Sequence, residues 1–266
     1  MISVVIPSYK NPEYLELCLE SAFHYQQKKN EIIVVIDGFT DMYEQLYLDY
    51  PYPQVHWVRV IENQGLPMAT NLGVMEATNE NILIVNEDNV FPIGWDADLE
   101  SLRGGDERVY AVQQVEPTDS IFKFLKCDCG SNPKNFDMAK FQTFVLHNQS
   151  KELTDDAYHL PIYMSKKLFM SVGGWDVTYS SPFVVDLDFF LKLELIGSLA
   201  FIKVNSCPFY HFGSRSTKKR QDANEIQNWE SGERYAAEQF KLKWGIYPQR
   251  EALTYRINDR NLRGIV

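Results

Sequence analysis

Basic residues are in short supply: 26 Lys and Arg stand against 36 Asp and Glu in 266 residues, a formal net charge of −10 at pH 7. Nucleic-acid binding leans on clustered cations, so this deficit argues against a broad nucleic-acid footprint, and with it a polymerase or nuclease. No stretch reaches the roughly 20 consecutive apolar residues that a membrane span needs. Met1 leads straight into Ile2-Ser-Val-Val-Ile-Pro7 with no basic leader, cleavage site or lipidation motif, and the expectation is a soluble, cytoplasmic chain with no transmembrane segment. Peripheral membrane contact stays open. Neither Gly-x-Gly-x-x-Gly after the first apolar run nor Gly-x-x-x-x-Gly-Lys-Ser/Thr anywhere is present, so neither a dinucleotide loop nor a P-loop is available to hold phosphate. Cysteine is sparse too. Cys18, Cys127, Cys129 and Cys207 show no Cys-x-x-Cys spacing; Cys127-Asp-Cys129 is a weak metal hint, outweighed by reduced structural thiols. Asn148-Gln-Ser150 fits a glycosylation acceptor, but without a secretory signal it reads as coincidence.

What is abundant is material for a core. Hydrophobic residues make up 45% and aromatics 14%, as in a globular protein. The first half alternates strand and helix patterns: strands at Ile2 to Ile6, Glu31 to Ile36, Val55 to Ile61 and Ile82 to Val85, with helices at Asn11 to Gln27 and Met68 to Ala77 and a helix-like stretch from Asp37 to Tyr50. That order predicts an α/β fold with a mostly parallel central sheet flanked by helices. The second half is less regular. Strands are expected at Ala111 to Val115 and within Tyr158 to Ser165, and helices at Ser165 to Val172, Asp186 to Leu195 and Glu225 to Trp244. No internal repeat or low-complexity linker divides the chain. One compact domain over 1–266 is expected, with a nucleotide-binding half of about 1–115 and an acceptor half of about 116–266.

Three strand ends hold unusual loops: Pro7-Ser-Tyr-Lys-Asn11, Asp37-Gly-Phe-Thr-Asp41 and Asn86-Glu-Asp-Asn89. In a parallel sheet these ends point the same way, and ligands of open α/β sheets gather beyond them. An aromatic ring, carboxylates and turn amides in one crevice suit a nucleotide, and Asp88 is the natural seat for a hard cation such as Mg²⁺ or Mn²⁺ that neutralises the diphosphate. The plainer reading of Asn86 to Asn89 is a turn, since Asn and Asp form turns readily.

The blocks Val4-Val-Ile-Pro-Ser-Tyr-Lys-Asn11, Ile33-Val-Val-Ile-Asp-Gly-Phe-Thr-Asp41, Asn63-Gln-Gly-Leu-Pro-Met-Ala-Thr-Asn-Leu-Gly73, Asn86-Glu-Asp-Asn89, Val172-Gly-Gly-Trp-Asp176 and Val185-Asp-Leu-Asp-Phe-Phe190 resemble, in order and spacing, those of family 2 glycosyltransferases with the GT-A fold. The resemblance implies an inverting transfer from a nucleoside-diphosphate sugar to a glycan or other hydroxyl acceptor, with Mn²⁺ or Mg²⁺ as cofactor. It implies that Pro7, Ser8 and Tyr9 line the nucleoside pocket and that Asp37 meets the base. Glu87 and Asp88 stand as the DxD-type pair, with Asp88 on the metal and Glu87 toward the ribose or sugar. Asp186 falls where the family has its catalytic base, and His211 in Tyr210-His-Phe-Gly-Ser-Arg-Ser216 resembles a histidine that completes the metal shell. The chain departs from the pattern at Phe39, Thr70, Asn86 and Val185, which leaves the nucleotide and donor sugar open.

The chemistry accounts for these residue types. Breaking a sugar–phosphate bond leaves charge on the diphosphate that a cation stabilises, and the acceptor hydroxyl needs a carboxylate to take its proton. Competing readings exist for each residue. Asp186 could cap the helix expected after it, Asp188 is a rival base two residues on, and His211 could be a core histidine. Trp175, Trp229 and Trp244 read as core, and Lys218-Lys-Arg220 as a solvated run or a loop folding over the diphosphate. Two other functions compete with transfer: nucleotide-sugar binding without turnover, and sugar-phosphate nucleotidyl transfer, which usually needs a glycine-rich first loop.

Overall fold

The computed structural model describes residues 1–38, 41–102, 107–120, 123–154, 158–179, 182–197, 199–213 and 223–248. The apolar run of the N-terminus forms β1 (Ile2–Ser8), buried along its whole length. Its side chains split by parity, as a pleated strand requires. Ile2, Val4 and Ile6 join the cluster that contains Leu15, Cys18, Leu19 and Ala22 of α1 (Pro12–Tyr25). Val5 joins the opposite cluster with Ala69 and Val74 of α3 (Leu66–Glu76). The same split recurs in β2 (Glu31–Asp37) and β4 (Asn81–Ile84), where Ile33, Val35, Ile82 and Ile84 face one layer and Ile32, Val34, Ile36 and Leu83 the other. Each such side chain removed from water contributes about 1.5–3 kcal/mol before entropy is charged against it. A one-residue slip would exchange the two layers, so the register is firmly specified.

Strands β1, β2, β4 and β3 (His56–Val60) are parallel, in the order β3-β2-β1-β4. Beyond β4 the sheet continues as β9 (Ile162–Ser165), β6 (Arg108–Glu116), β10 (Ala200–His211) and β5 (Asn89–Val90). Here β9 runs antiparallel to both neighbours, β6 and β10 pair in parallel, and β5 is antiparallel to β10. Short β7 (Leu125–Lys126) and β8 (Leu153–Thr154) add to β6 and β10. The sheet is therefore mostly parallel with antiparallel joints, and both halves of the chain contribute strands to it.

Close approach of helix to sheet explains one glycine. A Cβ at Gly73 would lie 2.4 Å from Val5 Cγ1 and 3.0 Å from Val35 Cγ2. The neighbouring Asn71 works as a clamp: its Oδ1 accepts from the Trp175 amide at 2.8 Å, and its Nδ2 donates to the Trp175 carbonyl at 2.8 Å. The expected helices of the second half are present as α6 (Lys166–Ser171), α7 (Pro182–Ile196) and α8 (Ala223–Trp244). The stretch after β2 becomes a 3₁₀ turn, Asp41–Tyr43, and α2 (Glu44–Asp49). The sequence reading gives no element for α4 (Trp95–Ser101), α5 (Met138–Asn148) or β10. In β10 the reason is visible: Asn205, Ser206 and Pro208 interrupt the apolar run, and the pairing with β6 shifts register between Val204 and Phe209.

Candidate functional site

The three loops do meet at one end of the sheet, because β1, β2 and β4 run parallel. Pro7 and Ser8 belong to β1 itself, not to the loop after it, and both are buried. The Val85 amide donates to the Val5 carbonyl, so alternate residues of β1 turn their backbone groups toward β4. Pro7, two residues on, lacks an amide where β4 has already ended, which explains a proline in an interior strand. Tyr9 is half-buried, and its ring lies against Gly38, where an added Cβ would come within 3.3 Å of Cε2. The Lys10 ammonium stands 4.9 Å from the centre of that ring.

Asp37 is buried, and its carboxylate is already well engaged: Oδ1 accepts from the Gln64 amide at 2.7 Å, and Oδ2 from Gly65 N at 2.8 Å and Asn63 Nδ2 at 3.0 Å. A carboxylate has about four lone-pair positions, so these bonds leave one among the described residues. The sequence reading misses this second duty, in which Asp37 shapes the Asn63–Gly65 loop. It also misses Tyr43, whose hydroxyl accepts from the Asn11 amide at 3.1 Å and pairs with Ser8 Oγ at 3.2 Å. Asn11 in turn donates from Nδ2 to Glu87 Oε1 at 2.8 Å, tying the first loop to the acidic one.

Asn86 to Asn89 is a turn as well as an acidic cluster: the Asn89 amide donates to the Asn86 carbonyl at 3.2 Å. Glu87 and Asp88 are both buried, and burial, then the charge of Asp88, lifts the Glu87 carboxyl to about 7. β5 begins right after Asp88 and places Asn89 opposite His211 of β10. His211 Nε2 thereby stands 3.5 Å from Asp88 Oδ1, although 123 residues separate them in sequence. On its other side His211 Nδ1 bonds Glu116 Oε1 at 2.7 Å. Burial opposes the charged imidazole, yet Asp88 and Glu116 overcome it and raise the pKa of His211 to about 10.

This arrangement fits a divalent cation. Glu116, at the end of β6, holds the outer nitrogen and directs Nε2 at the Asp88 carboxylate, as a carboxylate behind a metal-binding histidine does. Among the described residues no group of three or more His, Cys, Asp or Glu could hold an ion by itself. An ion held by Asp88 and His211 would therefore need further oxygens from outside the described residues. Glu116 is a second residue that the sequence reading misses, because only the β6–β10 pairing brings it to His211.

Asp186 is reached differently from expectation. The proposed stand at a helix N-terminus is incorrect: α7 starts at Pro182, which suits a first helical position, so Asp186 lies in the second turn, beyond cap or dipole support. Its Oδ1 is shut off from water and has no hydrogen-bond partner among the described residues. Burial lifts the carboxyl to about 7 rather than holding it charged. Asp188 differs: it is fully buried, its Oδ1 accepts from Trp244 Nε1 at 2.8 Å and the Tyr179 hydroxyl at 3.2 Å, and its Oδ2 makes no hydrogen bond but faces the Lys192 ammonium at 3.6 Å.

The raised pKa of Asp186 has a stability consequence whose sign is fixed. An acid with a folded pKa above its unfolded value destabilises the fold as pH rises from about 4 through about 7, because its charge is harder to form in the native state. With partial solvent access the effect is roughly 1–2 kcal/mol. Asp186→Asn should therefore melt a few degrees above the wild type at pH 8 and at the same temperature at pH 4, as scanning calorimetry would read. An equal gain at both pH values would contradict the assignment.

All four cysteines are free, and the Cys127 and Cys129 sulfurs lie 3.4 Å apart in a hydrogen bond. Trp175 and Trp244 are core residues, as expected. Two cavities, about 180 Å³ beside Ile93 and Gln142 and about 590 Å³ beside Leu17 and Tyr50, are lined by none of the site residues. Phe39 and the Lys218-Lys-Arg220 run lie outside the described residues. No described helix is long and apolar enough to cross a membrane.

Comparison with known proteins bears on this geometry. The sequence profile of Glycosyl transferase family 2 matches residues 3–163. The glycosyltransferase GlyG of Streptococcus pneumoniae is 36% identical over 93 residues, which are 34% of this chain and 31% of GlyG. An uncharacterized glycosyltransferase of Haemophilus influenzae is 23% identical over 248 residues, 90% of this chain and 77% of that protein. The crystal structure of GalNAc-T7 with UDP, GalNAc and Mn²⁺ superimposes with a TM-score of 0.58 at 14% identity, covering 79% of this chain and 43% of that one. The fold is of the GT-A type. The chain spans about a third of GlyG and under half of GalNAc-T7.

Proposed function

The chain belongs to glycosyl transferase family 2, and on that premise we propose that it moves a sugar, with inversion, from a nucleoside-diphosphate sugar to a hydroxyl acceptor. The observation that carries this reading is the pairing of Asp88 with a Glu116-oriented His211 at the strand ends, in a protein without a phosphate-binding loop. Asp88 and His211 would hold Mn²⁺ or Mg²⁺, and a nitrogen donor favours Mn²⁺ of the two. That ion would supply charge stabilisation to the departing diphosphate.

The chain's own residues do the rest. Tyr9, backed by Gly38, offers a ring face to the nucleobase, while Pro7 and Ser8 form the buried floor behind it. Asp37 has one acceptor position left for a base N–H. Glu87, held by Asn11, faces the ribose or sugar. Asp186 takes the proton of the acceptor hydroxyl, and its carboxyl near 7 matches the pH at which a general base balances availability against basicity. Residues of about 1–115 would bind the donor and those of about 116–266 the acceptor, with His211 and Glu116 reaching across from the second half.

A thermal-shift screen of UDP-, GDP- and dTDP-sugars, each with and without Mn²⁺, tests the reading. A ligand that binds only the native state raises its stability by RT ln(1 + [L]/Kd), about 2.7 kcal/mol at a hundredfold excess over Kd. The expected result is a rise for one nucleotide class that requires the ion. No shift with any of them would overturn the proposal.

A further inference from the structure

Asp186 has no hydrogen-bond partner at Oδ1 among the described residues, so its position is set by the helix that bears it. That helix is fastened from behind. Asp188, two residues along and about 200° around α7, is fully buried, and its Oδ1 pairs with Lys243 Nζ at 2.7 Å besides meeting Trp244 Nε1 and the Tyr179 hydroxyl. Its Oδ2 faces Lys192 Nζ at 3.6 Å, and Lys192 donates onward to the Gly174 carbonyl. Lys243 also reaches Asp176 Oδ2 at 2.7 Å. One carboxylate thus joins α7, the turn at Gly174 to Tyr179 and the C-terminal end of α8. The turn is itself held by Asn71 of α3, and a Cβ at Gly174 would lie 2.6 Å from Asn71 Oδ1.

Stability alone is a poor reason for such a cluster. A buried ion pair often contributes no more than a well-packed apolar group of the same volume, because both charges lose water. What it does supply is fixed geometry, since each partner has one place to stand. We propose that Asp188 is a positioning residue for the reaction: it locks the turn of α7 that bears Asp186 against the Gly174–Tyr179 turn and the end of α8, and so sets where the base meets the acceptor. This rests on Asp186 being the base. A displacement of about 1 Å at a reacting group costs roughly 10²-fold in rate, so a hub of this kind acts on turnover more than on binding.

The test compares Asp188→Asn, Trp244→Phe, Asp186→Asn and the double variants Asp186→Asn/Asp188→Asn and Asp186→Asn/Trp244→Phe. Nucleoside diphosphate release is followed from UDP-, GDP- and dTDP-sugars with Mn²⁺, and the Kd of the nucleoside diphosphate is measured by calorimetry. The expected result is a fall in kcat of about tenfold or more in Asp188→Asn, and a smaller one in Trp244→Phe, with donor KM and Kd within about twofold of wild type. Added to Asp186→Asn, the same changes should cost almost nothing further, because two residues acting through one group are not additive. Losses that multiply in the double variants, or a Kd that weakens in step with kcat, or folded variants with full kcat, would overturn the positioning role. Trp244→Phe keeps the carboxylate and carries the comparison if Asp188→Asn does not fold. Full turnover in Asp186→Asn alone is a separate result, and it would overturn the base reading itself.

Discussion

Asp186→Asn should lower turnover by a factor of roughly 10² or more while nucleoside-diphosphate affinity changes less than about twofold. Asn keeps the shape of the side chain and removes only its basicity, so what is lost is an interaction made as the acceptor hydroxyl gives up its proton. The rate profile sharpens the expectation. With a carboxyl near 7, kcat/KM should climb about tenfold per pH unit below that value and level off above it, and this limb should vanish in the variant. Stopped assays of sugar transfer across pH 5 to 9 would show both effects. A variant that keeps its rate and its acidic limb would remove Asp186 from the chemistry. The same substitution should raise thermal stability above pH 7, and a site that gains stability when its function is lost is one where the fold tolerates an unfavourable charge.

Much of the first half could be read directly. Ile82 to Val85 is apolar on both parities and stops abruptly at Asn86, which is what a strand buried on two faces looks like where it gives way to a polar turn. Its helical partners show themselves through period, as do Leu15, Cys18, Leu19 and Ala22 on α1. The second half resisted for physical reasons. Pro182 reads as a breaker when it is the opening residue of α7, so the sequence pattern places the helix start four residues late, at Asp186. β10 contains a proline and a register shift, which hides a strand of 12 residues.

The site itself was legible only in part. Asp88 could be chosen from its place at a strand end, but His211 came from resemblance, because nothing local announces that β10 will pair with β5. The matched family profile ends at residue 163, before Asp186 and His211, so the structure alone brings His211 to Asp88. Glu116 had no signal at all: it is a lone acid at the end of an apolar strand, and its value depends on a parallel neighbour some 90 residues away. Asn11 ends the first loop, yet its hydrogen bond to Glu87 follows from the turn between β1 and α1 and not from residue type.

Asp88→Ala should abolish the dependence of nucleotide binding on Mn²⁺, weakening the Kd for a nucleoside diphosphate in the presence of the ion by roughly 100-fold. Glu116 gives the finer test, since it would touch the ion only through His211. Glu116→Gln leaves an oxygen to accept the Nδ1 proton but takes away the charge that makes Nε2 a better donor, and a 10- to 100-fold loss of ion affinity is the usual cost of such a change. Cys127→Ser should have no effect. The charge state adds an independent measure. Flanked by Asp88 and Glu116, His211 has a pKa of about 10 and is protonated at neutral pH, so a cation seated on Nε2 must displace that proton. Ion affinity should then rise with pH from 6 to 9, with close to one proton released per ion, measurable by calorimetry in buffers of different ionisation enthalpy. Proton release should shrink in Glu116→Gln, where the histidine has lost one of the two carboxylates that hold it charged. Equal Mn²⁺-dependent affinity in Asp88→Ala and wild type would show that the ion, if used, is held elsewhere.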